Sequence, residues 1–267
     1  MQHLFGPAGE QALAHTLGQA PLLAFDFDGT LTPIVARPDD VQLAPEMAER
    51  LAALATRLPV AIVTGRSVAD VSARLGFTPT FIVGNHGAEM AGLSGEPGEA
   101  VETDGGTGAA TPSAALAALR ARVGERQAAL ADAGVSVEDK GHSLALHYRM
   151  SRTRGRALKV VAELLAGHDE GLRIFGGKLV INAVPQHAPD KADAVHALVR
   201  RCGAASAVFA GDDINDEPVF ARAPPHWLTV RVGRDSRSSK ARFYLQGPGE
   251  AAAMLDRMLS LLSPPPG

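Results

Sequence analysis

Two carboxylates stand at the end of an apolar stretch near the start of the sequence. Residues 22–34 read LLAFDFDGTLTPI, in which Asp26 and Asp28 flank one phenylalanine. In an extended chain such residues point to the same side and lie about 6.6 Å apart along the strand. Placing carboxylates at the end of a strand that is buried on both faces costs free energy. Two of them there indicate a function, such as nucleophilic or acid–base chemistry. The Asp-x-Asp-Gly pattern alone is equally compatible with a simple turn.

A second acidic cluster occurs far along the chain. Residues 211–217 read GDDINDE, which brings Asp212, Asp213 and Asp216 together just after an apolar run. Their mutual repulsion is unfavourable without a cation, and Mg²⁺ is the cation that such oxygen ligands predict. Between the clusters lie Thr64 in IVTGR and Lys191 in DKADAV. Each of these two has an ordinary explanation by itself, a turn threonine and a solvated lysine.

These groups need a scaffold that brings distant parts of the chain together. Short apolar runs alternate with segments of helical period, a pattern typical of parallel strands that cross over through helices. The predicted core strands are residues 22–27, 59–65, 80–87, 207–213, 227–232 and 242–245. Ser67, with Asp70 three residues later, predicts the start of a short helix that runs to Leu75. Ligands bind at the carboxyl ends of parallel strands, so the two acidic clusters, Thr64 and Lys191 are expected to meet there.

The middle of the sequence predicts an inserted domain. Residues 91–112 are rich in Gly, Pro, Thr and acidic residues, which is typical of a linker or an exposed hairpin. One helix is predicted over residues 112–134, and an antiparallel hairpin with one buried and one polar face over 135–149. A helix predicted over 153–166 and a strand pair over 172–184 repeat this order, so the insertion contains two helix–strand–strand units. We therefore predict an α/β fold with a parallel-sheet core at residues 1–104 and 186–267, and an α+β insertion at 105–185.

Composition narrows the classes of partner. The formal charge is −3, the isoelectric point is about 6.3, and no basic run occurs, so a nucleic-acid surface is not expected. Cys202 is the only cysteine, which excludes an intramolecular disulfide and a multi-thiolate zinc site. The sequence has no run of about 18 apolar residues and no secretory signal pattern. We expect a cytoplasmic protein with no membrane partner, and a monomer is favoured although the sequence leaves the oligomeric state open.

The order Asp-x-Asp, Thr, Lys, Asp cluster resembles the haloacid dehalogenase superfamily of phosphotransferases. The resemblance implies a Rossmann-like core in which Asp26 is the nucleophile and Asp28 the general acid and base. It also implies that Thr64 and Lys191 hold the phosphoryl oxygens. Mg²⁺ would be held by five acidic residues, Asp26, Asp28 through its main-chain carbonyl, Asp212, Asp213 and Asp216.

Three further stretches make the resemblance more specific. GNHGAE (residues 84–89), VEDKGHSLALHYR (137–149) and GDDINDE are similar to trehalose-6-phosphate phosphatases. That family implies a C2-type cap domain as the insertion and Mg²⁺-dependent hydrolysis of trehalose 6-phosphate to trehalose and phosphate through an aspartyl-phosphate intermediate. The polar residues expected to contact substrate are Gly65, Arg66, His86, Glu89, Glu138, Lys140, His147, Lys178 and Asn182.

The sequence departs from this family at two positions. Asn182 stands in LVINAVP where those phosphatases commonly have an acidic residue, and Ala192 follows Lys191 where glycine is usual. The first difference leaves another small sugar phosphate open as the substrate. A phosphomutase and a non-catalytic sugar-phosphate sensor are further alternatives, although the presence of both Asp26 and Asp28 argues against the sensor.

Overall fold

The structure is a computed structural model of the 267-residue chain. It describes residues 1–35, 40–92, 113–167, 171–177, 179–233 and 238–263. Within these ranges, no helix is both long enough and apolar enough to cross a bilayer. The chain divides into two compact units, a core unit of Met1–Asp104 and Pro189–Gly267 and an inserted unit of Gly105–Ala188.

The first segment of the core unit alternates strands and helices. The strand predicted over residues 22–27 is shorter than expected, because the chain leaves the sheet after Phe25 and bends at Phe27. Ser67 caps its helix by accepting a hydrogen bond from the Asp70 N–H, as predicted, but that helix ends at Ser72 rather than Leu75. The elements are β1 (Gln2–His3), α1 (Pro7–Leu17), β2 (Leu22–Phe25), α2 (Pro45–Ala55), β3 (Val60–Val63), α3 (Val68–Ser72), β4 (Phe81–Gly84) and β5 (Glu89–Gly92).

The inserted unit packs helices against an antiparallel sheet. The single helix predicted over 112–134 is wrong: the helix breaks at Arg126, just after the poor helix former Gly124. The polar face predicted for the hairpin is wrong at Ser143 and Ala145, which are buried. Ala145 lies on a strand in the interior of the sheet, and Ser143 directly precedes that strand. The elements are α4 (Ala114–Glu125), α5 (Gln127–Asp132), β6 (Ser136–Asp139), β7 (Leu144–His147), α6 (Arg154–Leu165), β8 (Leu172–Gly177) and β9 (Val180–Pro185).

The chain then completes the core unit. Asp190 caps the next helix through a reciprocal pair of hydrogen bonds with Asp193, so the helix begins at Lys191. A single turn of 3₁₀-helix, Ile214–Asp216, lies in the second acidic cluster, shortly after the strand that ends at Gly211. The elements are α7 (Lys191–Arg201), β10 (Ala207–Gly211), α8 (Glu217–Arg222), β11 (Leu228–Val232), β12 (Phe243–Leu245) and α9 (Pro248–Leu262).

The order of strands explains how distant residues meet. In the part of the core unit that the structure describes, eight strands form one sheet in the order β1-β12-β11-β10-β2-β3-β4-β5. All neighbours are parallel except β4 and β5. The strands that lead into the two acidic clusters and Thr64 are therefore adjacent, with their carboxyl ends at one edge. This confirms the predicted α/β core.

Apolar side chains cover both faces of this sheet. One cluster includes Phe25, Ile62 and Met254, and the other includes Phe81, Val195 and Phe209. The inserted unit has its own antiparallel sheet, ordered β6-β7-β9-β8, with a separate apolar cluster that contains Leu119. Each unit thus has a core of its own, and the parallel core provides a rigid base for the residues at its strand ends.

Candidate active site

A buried lysine joins the two acidic clusters. Lys191 is 1% exposed, and its Nζ donates to Asp26 Oδ1 at 2.6 Å and to Asp216 Oδ1 at 2.7 Å. Asp26 follows β2, and Lys191 is the first residue of α7, which the Asp190 cap fixes in place. Residues 165 positions apart in sequence are thereby held within one hydrogen bond of each other.

The charges of this cluster are not balanced. Burial raises the pKa of the Asp26 carboxyl well above its ordinary value, and the charges of Asp216 and Asp212 raise it further, against the opposing effect of Lys191. Burial by itself would lower the pKa of Lys191, but the Asp216 and Asp26 carboxylates outweigh burial, and the pKa is raised. Lys191 therefore stays protonated, and its single positive charge faces several carboxylates. A further cation would relieve the excess negative charge.

Hydrogen bonds to Asp216 organise the second acidic cluster. Asp216 Oδ2 accepts hydrogen bonds from the main-chain N–H groups of Asp212 and Asp213, both at 2.9 Å. A Cβ at Gly211 would lie 2.4 Å from the Asp216 carboxyl carbon, and a Cβ at Gly29 only 1.9 Å from Asp212 Oδ2. Glycine is therefore required at both positions. Gly29, which follows Asp28, thus leaves the space that the Asp212 carboxylate occupies.

Three carboxylates form a possible metal site. Oxygens of Asp26, Asp212 and Asp216 lie within 4.8 Å of one another, and all three residues are buried. The side chains of Asp28 and Asp213 are not part of this group, and the predicted roles of the Asp28 main-chain carbonyl and of Asp213, directly or through water, stay predictions. Asp213 caps the 3₁₀ turn by accepting from the Ile214 N–H at 2.7 Å. An all-oxygen donor set with excess negative charge is suited to Mg²⁺.

The Asp28 side chain has a different partner from that of Asp26. Its two oxygens accept hydrogen bonds from Arg66, Oδ2 from Nε at 2.7 Å and Oδ1 from Nη2 at 2.8 Å. Asp28 remains 38% exposed, whereas Arg66 is 12% exposed. The two aspartates of the first motif are thus divided between Lys191 and Arg66.

The GNHGAE turn braces the Thr64 loop. Asn85 and His86 both have left-handed backbone conformations, with φ of 46° and 59°. The His86 N–H donates to the Thr64 carbonyl at 3.0 Å, and the Asn85 N–H donates to the Arg66 carbonyl at 2.7 Å. The Glu89 carboxylate accepts from Asn85 Nδ2 at 2.6 Å and from a main-chain N–H of α3 at 2.9 Å. The carboxylate of Glu89, predicted to contact sugar, thus accepts hydrogen bonds from the turn and from α3.

Two glycines allow this turn to approach its neighbours closely. A Cβ at Gly65 would lie 2.4 Å from His86 Cε1. At Gly87, where φ is +119°, a Cβ would lie 2.6 Å from the Asp190 carbonyl oxygen. The turn therefore lies against both the Thr64 loop and the residue that caps the Lys191 helix.

The inserted unit collects several predicted sugar contacts on one sheet face. Glu138, Ala145 and Asn182 are directly opposite one another on β6, β7 and β9, so they share a face. His147 shares it too, and its Nε2 lies 2.9 Å from Glu138 Oε2. Lys140 Nζ is 3.8 Å from the same oxygen. Lys178, also predicted to contact substrate, lies outside the described residues.

A family model described as trehalose-phosphatase matches residues 24–248. The chain belongs to the trehalose-phosphatase family. A curated relative from Mycobacterium ulcerans, named trehalose-phosphate phosphatase, is 34% identical over 254 residues, which cover 91% of this chain and 62% of the relative. The chain thus spans about three-fifths of the length of the curated relatives it matches. The resemblance read from the motifs is confirmed.

Solved structures agree with this assignment at the level of the fold. The C-terminal domain of C. albicans trehalose-6-phosphate phosphatase superposes with a TM-score of 0.76 at 19% identity, covering 94% of this chain and 96% of that chain. A haloacid dehalogenase-like hydrolase from Bacteroides thetaiotaomicron gives 0.64 at 16% identity, covering 89% and 99%. The predicted haloacid dehalogenase fold is confirmed.

Sequence reasoning missed two features of this trehalose-phosphatase family member. The pairing of Asp28 with Arg66 was not predicted, although Arg66 and Asp70 have the i, i+4 spacing of a helical ion pair. The structural use of Glu89 was also missed, because nothing in its local sequence separates a turn brace from a ligand contact. Both depend on which backbone segments become neighbours after folding.

Proposed function

We propose that this chain hydrolyses trehalose 6-phosphate to trehalose and inorganic phosphate through an aspartyl-phosphate on Asp26. The observation that carries the proposal is the buried lysine that joins Asp26 to the second acidic cluster at the ends of adjacent parallel strands. An anionic nucleophile can approach an anionic phosphate only where positive charge is already in place. Membership of the trehalose-phosphatase family supports the choice of substrate.

The proposed reaction has two displacements. A carboxylate oxygen of Asp26 attacks phosphorus, the bond from phosphorus to the sugar oxygen breaks, and the carboxylic acid proton of Asp28 passes to that oxygen to give trehalose. Water then attacks phosphorus, its proton passes to the Asp28 carboxylate, and the bond from phosphorus to Asp26 breaks to release phosphate. The covalent intermediate divides one difficult displacement into two easier ones.

Thr64 and Lys191 are proposed to hold the phosphoryl oxygens. The Thr64 hydroxyl accepts from the Arg66 N–H at 3.2 Å, which leaves its own hydrogen available as a donor. Lys191 has three N–H donors, of which two serve Asp26 and Asp216. A third can reach a phosphoryl oxygen while the lysine keeps its position.

Asp26, Asp212 and Asp216 would hold Mg²⁺, with the Asp28 main-chain carbonyl and Asp213 in support. The donor set and the excess negative charge fit this ion. When bound, Mg²⁺ supplies positive charge that stabilises the phosphate oxygens in the transition state.

The sugar would be recognised on the shared face of the inserted sheet. Glu138, Lys140, His147 and Asn182 provide both donors and acceptors for hydroxyl groups. The remaining proposed substrate contacts are Gly65, His86, Glu89 and Lys178, whereas Arg66 is taken up by Asp28 and Asp70. A disaccharide offers a second ring of hydroxyls to such a face, and glucose 6-phosphate lacks that ring.

A panel of sugar phosphates tests the proposal. We expect trehalose 6-phosphate to be preferred over glucose 6-phosphate by on the order of 100-fold or more in kcat/KM, because two polar groups left without partners cost about 1–3 kcal/mol each. Glu138→Ala should flatten this preference. Glu125→Ala, a change at an exposed glutamate of the same unit, is the matched control and should keep it.

Four outcomes would each overturn part of the proposal. Equal turnover of all sugar phosphates by the wild type would reject trehalose 6-phosphate as the substrate, and a preferred substrate other than trehalose 6-phosphate would reassign it. Undiminished phosphate release in excess chelator would reject the role of the metal. Conversion of a hexose 6-phosphate to its 1-phosphate isomer in the presence of a catalytic amount of the hexose bisphosphate, without free phosphate, would identify a mutase instead.

A further inference from the structure

Asp28 is the first member of a row of alternating charges. Arg66 binds Asp28 through Nε and Nη2 and binds Asp70 Oδ2 through Nη1 at 2.7 Å. Asp70 Oδ1 accepts from Arg74 Nη2 at 2.6 Å, and Arg74 Nη1 donates to the Val41 carbonyl at 2.9 Å. The row runs from Asp28 along α3 to the Val41 carbonyl, all within the core unit. Each arginine is therefore held by two partners.

We propose that Arg66 is a positioning residue for Asp28 and makes no contact with the sugar. This inference rests on the proposed function, in which Asp28 transfers protons at the reacting oxygen. A guanidinium fork that binds both oxygens of a carboxylate fixes the plane of that carboxylate as well as its position. Arg66 therefore sets the orientation from which Asp28 reaches the reacting oxygen.

The surroundings of Arg66 support positioning rather than direct binding. Its guanidinium carbon lies 5.7 Å from the centre of the Phe27 ring, and the side chain is only 12% exposed. To contact a sugar, Arg66 would have to give up charge-assisted hydrogen bonds to both Asp28 and Asp70. The Asp28 side chain stays 38% exposed while its two hydrogen bonds to Arg66 are intact, and Asp70, which Arg74 also binds, holds the arginine on its other side.

A double-mutant cycle tests whether Arg66 acts through Asp28. Acid–base transfer contributes about 10²–10⁴-fold, and loss of orientation alone should remove part of it. We expect Arg66→Ala to lower kcat for trehalose 6-phosphate by about 10–100-fold with KM changed less than about threefold. In an Asp28→Asn background, the same change should cost less than about threefold. Losses that multiply, or a large rise in KM, would overturn the inference in favour of direct sugar binding.

The leaving group gives an independent readout. Nitrophenolate is a stable anion and departs from 4-nitrophenyl phosphate without a proton, so transfer to Asp26 does not need Asp28 as an acid. We expect Arg66→Ala to keep the initial burst rate of nitrophenol within about threefold of wild type while the steady-state rate falls at least tenfold. An equal fall in burst and steady state would overturn the inference.

Two variants that perturb this ion pair less help to separate an effect on Asp28 from a defect in folding. Arg66→Lys retains the charge without the fork, and Asp70→Asn weakens the anchor of the arginine, so each should give a smaller loss of the same kind. Thermal unfolding of every variant reports folding separately. If the wild type releases phosphate from neither compound, the proposed function fails and this inference with it. If the wild type is active but the cycle is multiplicative, only this inference fails.

Discussion

Replacing Lys191 by methionine would isolate the contribution of the buried ammonium to stability, because the two side chains have similar shape. Lys191 is 1% exposed and lies 2.6 Å and 2.7 Å from Asp26 and Asp216, which are 5% and 0% exposed. Removing one partner of a buried ion pair costs about 3–5 kcal/mol, since the remaining charge has no compensation. In a chain of this size, each kcal/mol lowers Tm by about 2–4 °C. We therefore expect Lys191→Met to lower Tm by about 6–20 °C in the presence of chelator.

The measurement is thermal unfolding of the wild type, Lys191→Met and a control, Lys240→Met, which changes an exposed lysine of the same unit. The control should be within about 1 °C of wild type. Adding Asp26→Asn to Lys191→Met should recover about 1–3 kcal/mol, because a neutral amide no longer leaves a charge unpaired. A Lys191→Met variant as stable as the control would refute the buried ion pair.

Three other changes probe the surroundings of the site. Glu89→Gln converts one of two accepting oxygens to a donor and should lower the unfolding free energy by about 1–3 kcal/mol in denaturant titrations; an unchanged midpoint would argue against the brace. Gly87→Ala should cost about 1–3 kcal/mol, because φ is +119° and its Cβ would lie 2.6 Å from the Asp190 carbonyl oxygen. Gly155→Ala, in a helix with nothing within 4 Å, should be neutral or stabilising by comparison. Partial burial would raise the pKa of Asp70, but hydrogen bonds from its arginine partners lower it below the ordinary value. Asp70→Asn should therefore be less stable than wild type at pH 7, and the difference should shrink as the pH falls below about 4; a constant difference from pH 7 to pH 2 would contradict this.

The sequence carried enough information to predict the α/β scaffold and the sheet edge at which the acidic residues and Thr64 meet. Apolar runs and helical periods are local signals, and they indicated β2, β3 and β10, whose ends carry Asp26, Thr64 and Asp212. Local chemistry also indicated the Ser67 cap. These predictions succeeded because each depends on residues a few positions apart.

Predictions that depend on long-range neighbours were less complete. Arg66 and Asp28 are 38 residues apart, and only the alignment of β2 with β3 brings them together. Glu89 was predicted as a ligand because its type suits hydroxyl groups, yet its carboxylate serves a neighbouring turn and helix. The break at Arg126 lies in a segment whose apolar spacing continues past it. Residue type and spacing do not report which partner a polar group finds.

The position of β2 within the sheet has a consequence for folding during synthesis. β2 pairs with β3 on one side and with β10 on the other, and β10 is made only after the whole inserted unit. A nascent chain that ends before β10 therefore presents β2, the apolar strand that leads to Asp26, as an open edge that can pair with other chains. A chain that ends before residue 191 also lacks Lys191, so its Asp26 carboxyl does not have this ammonium beside it. We expect residues 1–104 expressed alone to aggregate, and Asp26 to acquire its buried environment only when the last third of the chain joins the sheet.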